Sequence, residues 1–202
     1  MSFFGFFKKT DPVDVLRGLR QSLVISALTY RTTLNEPNDQ KSSNAAAELL
    51  FLLLHLADIS MFTLLGPKKR DLYFDHLTLE AIRDYSAASL KQETPDDIKS
   101  GISDFLLQRF NSRQITYAKC KSMMGDQFPG AGSTVFAFSF FVFRALDQTS
   151  REEFDEILAG NARLTESDQK DFPSPRTIFK NAIFVGSAAK EVDIARHVRK
   201  LR

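Results

Sequence analysis

The longest run of apolar side chains covers residues 49–65 and contains two ionisable residues, His55 and Asp58. Apolar residues occur nearly all round the helix that this run would form, which predicts a helix enclosed by other helices. A membrane-spanning helix needs about 20 apolar residues, and an aspartate at the bilayer centre costs about 2.5–3.5 kcal/mol. The pattern therefore favours the core helix of a bundle over a membrane span.

This central helix is expected to cover about residues 44–65. Ser43 or Asn44 is a suitable N-cap, because a short polar side chain accepts hydrogen bonds from the first free N–H groups. Gly66 and Pro67 end the helix and leave almost no connection to the next one. We therefore expect the central helix and its successor to form an antiparallel hairpin.

The remaining pattern predicts an all-α, single-domain bundle of six or seven helices over residues 11–202. Helical periodicity indicates amphipathic helices over about 12–34, 67–90, 96–124 and from 175 towards the C-terminus. In the last of these, apolar residues recur every three or four positions between 178 and 192. Such a seam is compatible with packing inside the bundle and with packing between two copies of the chain.

The second most apolar run, residues 135–143, alternates as a strand does, but both alternating sets are apolar and no partner strand is evident. We interpret it as a buried helix over about 135–148. Ser150 and Glu153 form a plausible capping box for a short helix at 151–159. Residues 160–175 are expected to be a loop.

Composition and charge exclude several classes of function. The 27 basic and 25 acidic residues give a net charge of +2, without the basic excess expected of a nucleic-acid-binding domain. The single cysteine, Cys120, excludes an internal disulfide and a thiolate zinc site, which favours a cytoplasmic protein. No motif for a catalytic nucleophile or a phosphate loop is present, so we expect neither an enzyme nor a cofactor.

Two arginines interrupt the apolar face of the helix predicted at 96–124. Arg113 falls at the centre of that face and Arg109 lies one helical turn away. A buried guanidinium stays charged and requires a carboxylate or several other acceptors, unless the side chain extends to solvent. Asp58 is one candidate partner, and Glu48 and Asp75 are the others.

The sequence thus predicts a buried polar network of His55, Asp58, Arg109, Arg113 and Tyr117. Such a network either specifies the fold or binds an anionic or amphipathic ligand, and a partly exposed stripe on the central helix is the simpler alternative. Phenylalanines are then expected to line the apolar part of a pocket: Phe136, Phe138 and Phe140. A metal site is not expected, because Asp75 and His76 point about 100° apart on their helix.

The chain begins with a Phe-rich amphipathic segment, residues 1–10, that has four phenylalanines followed by two lysines. Its candidate contact residues are Phe3, Phe4, Phe6, Phe7, Lys8 and Lys9. Such a segment either folds back on the bundle or contacts a membrane surface or another protein. Four further basic residues lie between 196 and 202, and both ends would form one basic surface if they meet.

The function predicted from these features is a non-enzymatic interaction or scaffold protein, peripheral to a membrane or to a protein partner through residues 1–10. The alternative is a helical domain that binds a small anionic or amphipathic ligand among the buried Arg, Asp and His side chains. Expected partners are another protein, a weakly bound membrane surface or a second copy of the chain, and not nucleic acid.

Overall fold

The computed structural model describes residues 11–91, 93–123, 131–146, 155–158, 160 and 172–202. These residues form six long helices and two short ones, which confirms the predicted all-α bundle. The helices are α1 (Pro12–Thr33), α2 (Asp39–Leu65), α3 (Pro67–Ser89), α4 (Asp96–Lys119), α5 (Thr134–Ala145), α6 (Asp155–Leu158), α7 (Pro175–Val192) and α8 (Ile194–Arg199). The Phe-rich segment 1–10 and the proposed capping box of Ser150 and Glu153 lie outside the described residues.

Helix α2 occupies the centre of the bundle. Helices α1, α3, α4, α5 and α8 all pack against it, and the apolar side chains from Leu49 to Leu54 are fully buried. By length and composition alone α2 is apolar enough to cross a membrane, but the helices around it bury these side chains. Each fully buried aliphatic or phenylalanine side chain contributes about 1.5–3 kcal/mol, so α2 supplies much of the core energy.

Helix α2 begins five residues earlier than the predicted start at residue 44. The side chain of Asn38 accepts hydrogen bonds from Gln40 N at 2.9 Å and Lys41 N at 3.1 Å, and it is the N-cap. Ser43 and Asn44, the predicted caps, lie inside the helix instead. The polar residues before the apolar run form its first turns, because Asn38 supplies a cap that the apolar pattern alone does not mark.

Helix α4 ends at Lys119 rather than near the predicted residue 124. From Cys120 the chain is extended, and Lys121 N donates to Gly132 O at 2.9 Å. Thr134 N donates to Ser122 O at 2.9 Å, which ties this extended segment to the start of α5. The apolar run that follows is helical, as predicted.

Only part of the apolar face that the sequence predicts for α4 is buried. Ile98 and Phe105 are exposed, whereas Leu106, Phe110 and Tyr117 are buried. The face that meets α2 and α3 is therefore rotated towards Leu106 and Phe110. Helix α4 contacts α2, α3 and α5, and these contacts cover only a narrow stripe of its surface.

The seam predicted at 178–192 packs inside the bundle, against α1 and α5. Ile178, Ala182 and Val185 are buried there, and Asn181 accepts a hydrogen bond from Tyr30 at 3.1 Å. The sequence predicts one C-terminal helix, but the structure has two. Asp193 adopts a left-handed conformation (φ 46°) that separates α7 from α8.

Gly66 alone connects α2 to α3, as the sequence predicted. Its backbone has φ 80° and ψ 170°, a combination that is essentially restricted to glycine. Gly66 N donates to Phe62 O at 3.0 Å and Gly66 O accepts from Arg70 N at 3.0 Å, so this single residue closes one helix and opens the next.

Two glycine substitutions are expected to have opposite effects on stability. Gly66→Ala should lower the free energy of unfolding by about 1–3 kcal/mol, because its backbone conformation excludes a side chain. Gly101→Ala, inside α4 where an added methyl group meets no atom within 4 Å, should raise it by up to about 1 kcal/mol. Urea denaturation of both variants measures the difference, and an equal effect of the two would contradict this account of the α2–α3 connection.

Candidate functional site

Glu48 is the anionic centre of a buried cluster between α2 and α4. Its side chain is 0% exposed, and Arg109 Nη2 lies 2.5 Å from Glu48 Oε1. Arg113 makes a two-point contact, with Nε at 3.0 Å from Oε2 and Nη2 at 3.1 Å from Oε1. Burial opposes ionisation of Glu48, but the two guanidiniums outweigh it and lower the pKa of this carboxyl below its usual value.

Aromatic rings complete the surroundings of the two arginines. The guanidinium of Arg113 lies over the ring of Phe141 on α5, 3.7 Å from the ring centroid. Arg109 lies between the rings of Phe51 and Phe105, at 5.9 and 5.8 Å. Cation–π contacts of this kind favour the charged state of arginine in a place where water is scarce.

Asp58, one of the three candidate partners, does not pair with Arg113. Asp58 instead bonds to Arg70 on α3, with Nε 2.6 Å from Oδ1, and Arg70 also bonds to Asp71 at 3.0 Å. Asp75, the third candidate, is exposed. The partner of Arg113 is Glu48, so the structure contains two separate ionic groups rather than one network.

His55 belongs to neither ionic group. Its Nδ1 is hydrogen-bonded to Gln114 Oε1 at 2.6 Å, and its ring lies 5.3 Å from the ring of Tyr117. Burial lowers the pKa of His55, although the bond to Gln114 and the charge of Asp58 act in the opposite direction. Sequence reasoning missed Gln114, whose only signal is its position three residues before Tyr117 on the same helix.

Tyr117 is buried beside Arg113 without a hydrogen bond to its hydroxyl from any residue that the structure describes. Burial, followed by the charge of Glu48, raises the pKa of this hydroxyl well above its usual value. The ring packs edge-on against Phe141, at a centroid distance of 5.9 Å. Tyr117 therefore stays neutral and fills the space between the two ionic groups.

An open groove between α2, α3 and α4 is lined by three members of the predicted site: His55, Asp58 and Tyr117. The groove has two adjoining hollows of about 750 and 650 Å³. Asp58 lines both hollows, while His55 and Tyr117 line the larger one. Arg109 and Arg113 line neither. We call this feature the α2–α3–α4 groove.

The sequence analysis expected Phe136, Phe138 and Phe140 to line a pocket, but these phenylalanines of α5 do not line the groove. Phe138 is fully buried against Tyr30 of α1. Phe136 and Phe140 pack on Phe172, with centroid distances of 5.7 and 4.9 Å. These rings belong to the core between α5 and its neighbours.

The described residues offer little for catalysis or metal binding. Among them, no group of three or more His, Cys, Asp or Glu side chains could hold a metal ion. Burial raises the pKa of the Cys120 thiol, and its sulfur lies 3.5 Å from Thr116 O, so this thiol is a poor nucleophile.

A second candidate surface lies where α8 meets the start of α1, the end of α2 and the start of α3. The ring of His197 lies beside Gly18, Arg202 Nε donates to Leu64 O at 3.1 Å, and Lys69 Nζ donates to Arg202 O at 2.9 Å. The elements that meet there carry six exposed cations: Lys68, Lys69, Arg196, Arg199, Lys200 and Arg202. We call this surface the basic end.

The cations of the basic end have no carboxylate partner among the described residues. Ion pairs elsewhere in the described chain include Arg20 with Glu80 and Asp84. The start of α1 lies beside α8, but whether the two chain ends form one basic surface stays a prediction, because residues 1–10 lie outside the described residues. Phe3, Phe4, Phe6, Phe7, Lys8 and Lys9 lie outside the described residues.

Comparisons with protein-family models, with curated proteins and with solved structures find no significant match for this chain.

Removing the buried anion should destabilise the protein strongly. Glu48→Gln leaves two largely buried guanidiniums without a counter-charge, which is expected to cost about 3–5 kcal/mol. Asp14→Asn removes the solvent-exposed ion pair with Arg17 and should cost less than about 1 kcal/mol. Chemical denaturation compares the two variants, and similar losses would contradict a structural role for the buried cluster.

The buried imidazole predicts a loss of stability on acidification. Because the folded-state pKa of His55 lies below its ordinary value of 6.5, the unfolded chain binds the proton more readily, and stability falls as the pH drops below that value. The loss is at most about 1.4 kcal/mol per pH unit. His55→Gln should weaken this pH dependence and the exposed His76→Gln should not, in urea denaturation at about pH 7.5 and pH 5.5.

Proposed function

We propose that this chain is a non-enzymatic interaction protein that associates peripherally with anionic membrane surfaces through the basic end. The observation that carries the proposal is the gathering of six cations from α3, α8 and the C-terminal residues on one surface. A net charge of only +2 means that these cations are concentrated locally rather than being part of a generally basic protein.

The energy available from such a surface is sufficient for reversible binding. A lysine or arginine next to an anionic leaflet contributes about 1 kcal/mol, and the attraction decays within a Debye length. Because the described chain supplies no carboxylate partner to these cations, their charges remain available to lipid headgroups. The expected association is weak and sensitive to salt.

Exposed apolar side chains accompany the cations. Val13 at the start of α1 and Leu72 near the start of α3 are both more than half exposed. Basic residues combined with protruding apolar ones are typical of proteins that lie on a membrane interface. Each apolar side chain adds the hydrophobic term that purely electrostatic binding lacks.

The amino-terminal sequence supports the same function. Residues 1–10, which combine four phenylalanines with Lys8 and Lys9, directly precede α1, whose first turns lie beside α8. A short segment of this composition combines the apolar and basic groups that favour binding to an anionic membrane surface.

A ligand-binding function is the second candidate, and the α2–α3–α4 groove favours it. Each hollow is within the range of about 300–1,000 Å³ that is usual for ligand sites. In this version of the function His55, Asp58 and Tyr117 face the ligand. Arg109 and Arg113 act only through the packing of α4, since Glu48 already binds both guanidiniums.

Charge removal at the basic end should weaken vesicle binding. Arg199→Gln combined with Lys200→Gln is expected to lower co-sedimentation with phosphatidylserine-containing vesicles at least about five-fold, since two contributions of about 1 kcal/mol are lost. Added salt should reduce binding of the unaltered protein in the same assay.

The matched control is Arg176→Gln combined with Lys180→Gln, which removes the same charge from the start of α7. That region lies at the opposite end of the bundle, because Asn181 bonds to Tyr30 near the end of α1. Equal losses in the two double variants, or equal binding to vesicles made only of phosphatidylcholine, would contradict the proposal.

A further inference from the structure

The two hollows of the α2–α3–α4 groove lie side by side and form one elongated surface. They share four residues, Asp58, Arg70, Gln114 and Ala118. The larger hollow is lined by α2, by the start of α3, by the end of α4 and by residues 120–123, whereas the smaller one is lined by α3 and α4 with Asp58 alone from α2. The ion pair between Asp58 and Arg70 and the side chain of Gln114 separate the hollows.

We propose that this groove binds an amphipathic helix of a partner protein, with an apolar stripe directed into the hollows and basic side chains at its margin. This interaction is independent of the membrane association proposed above, because it uses another surface and the opposite charge. The apolar residues, the charges and the shape of the groove each support it.

The apolar part of the argument rests on side chains that the bundle leaves open. Ile59 is 50% exposed, Phe62 58% and Ile115 63%, and all three line the groove. The apolar sequence of α2 continues through Phe62, whereas helix α4 gives way to extended chain after Lys119. Three large apolar side chains along one groove provide the anchor contacts that a helical partner requires.

The charges at the groove indicate the kind of helix that fits. Asp71 and Asp75 of α3 and Asp58 of α2 line it, and Arg70 bonds to Asp58 and Asp71. Asp75 has no ion pair within the described residues. Lys121 is the only other charged lining side chain in this part of the chain, and it lines the larger hollow. Asp75 therefore leaves the α3 margin with an uncompensated negative charge, which complements lysine or arginine.

The shape favours a helix over a compact small molecule or a bilayer. A compact ligand fills one hollow and leaves the other empty, whereas side chains seven residues apart on a helix are separated by about 10.5 Å and reach both. An anionic membrane is repelled by the aspartates of the α3 margin. An amphipathic helix that carries basic residues can pack its apolar side chains on the apolar lining and place its basic side chains beside the acidic margin.

The test uses synthetic helices as probes of the full-length protein. A fluorescently labelled peptide of about 18 residues, built from leucine and lysine with an apolar stripe, supplies both required features. A leucine–glutamine peptide of the same pattern supplies only the apolar one. Fluorescence anisotropy is expected to give saturable binding of both, with at least about five-fold tighter binding of the lysine peptide.

Groove variants identify the surface that binds. Ile59→Asn and Ile115→Asn should each weaken binding of the lysine peptide at least about five-fold, because each removes an apolar anchor without altering charge. Ile25→Asn on α1 and Ile183→Asn on α7 are the matched controls, since these isoleucines are similarly exposed on other faces. Asp75→Asn should weaken the lysine peptide and leave the glutamine peptide unchanged.

Three outcomes would overturn the inference. The first is the absence of saturable binding of the lysine peptide, and the second is equal weakening by the control and groove variants. The third is a set of peptide-induced amide shifts, in ¹H–¹⁵N spectra of the unaltered protein, that lie away from Ile59, Asn111 and Ile115. Shifts confined to the groove together with the expected variant pattern support the proposed site.

Discussion

The ionic cluster of Glu48, Arg109 and Arg113 is the constraint on which the packing of α4 depends. A fully buried carboxylate is tolerated only when strong partners replace its water, and here both partners come from one helix. The cluster consequently sets the height and rotation at which α4 lies against α2. The groove follows from this arrangement, since its walls are α3, which is joined to α2 by Gly66, and α4, which is held by Glu48.

The same cluster explains why polar residues in the core need not form a ligand site. Its two positive charges and one negative charge pair with one another, and the guanidiniums lie over the rings of Phe51, Phe105 and Phe141. The two arginines therefore need no ligand as a counter-charge. The proposed membrane and partner contacts use other residues, around the groove and at the basic end.

Features determined by neighbouring residues could be predicted from the sequence, whereas those determined by contacts between helices could not. Asp11 with Pro12 and Gly66 with Pro67 mark helix ends locally, and the structure has helix ends there. The partner of Arg113 could not be chosen from the sequence, because a helical wheel gives the angle of a side chain but not its height. Glu48 and Asp58 lie about 15 Å apart along α2, and only the tertiary packing selects between them.

Because Gly66 alone connects α2 to α3, the two walls of the groove are held in place in different ways. Helix α3 is joined to α2 by a single residue. The final turn of α4, in contrast, lies beyond Arg113, the last arginine that bonds to Glu48, and is followed directly by extended chain. Hydrogen bonds hold that extended chain to the start of α5 instead. The position of one wall of the groove thus depends on the connection between α2 and α3, and that of the end of the other wall depends on α5.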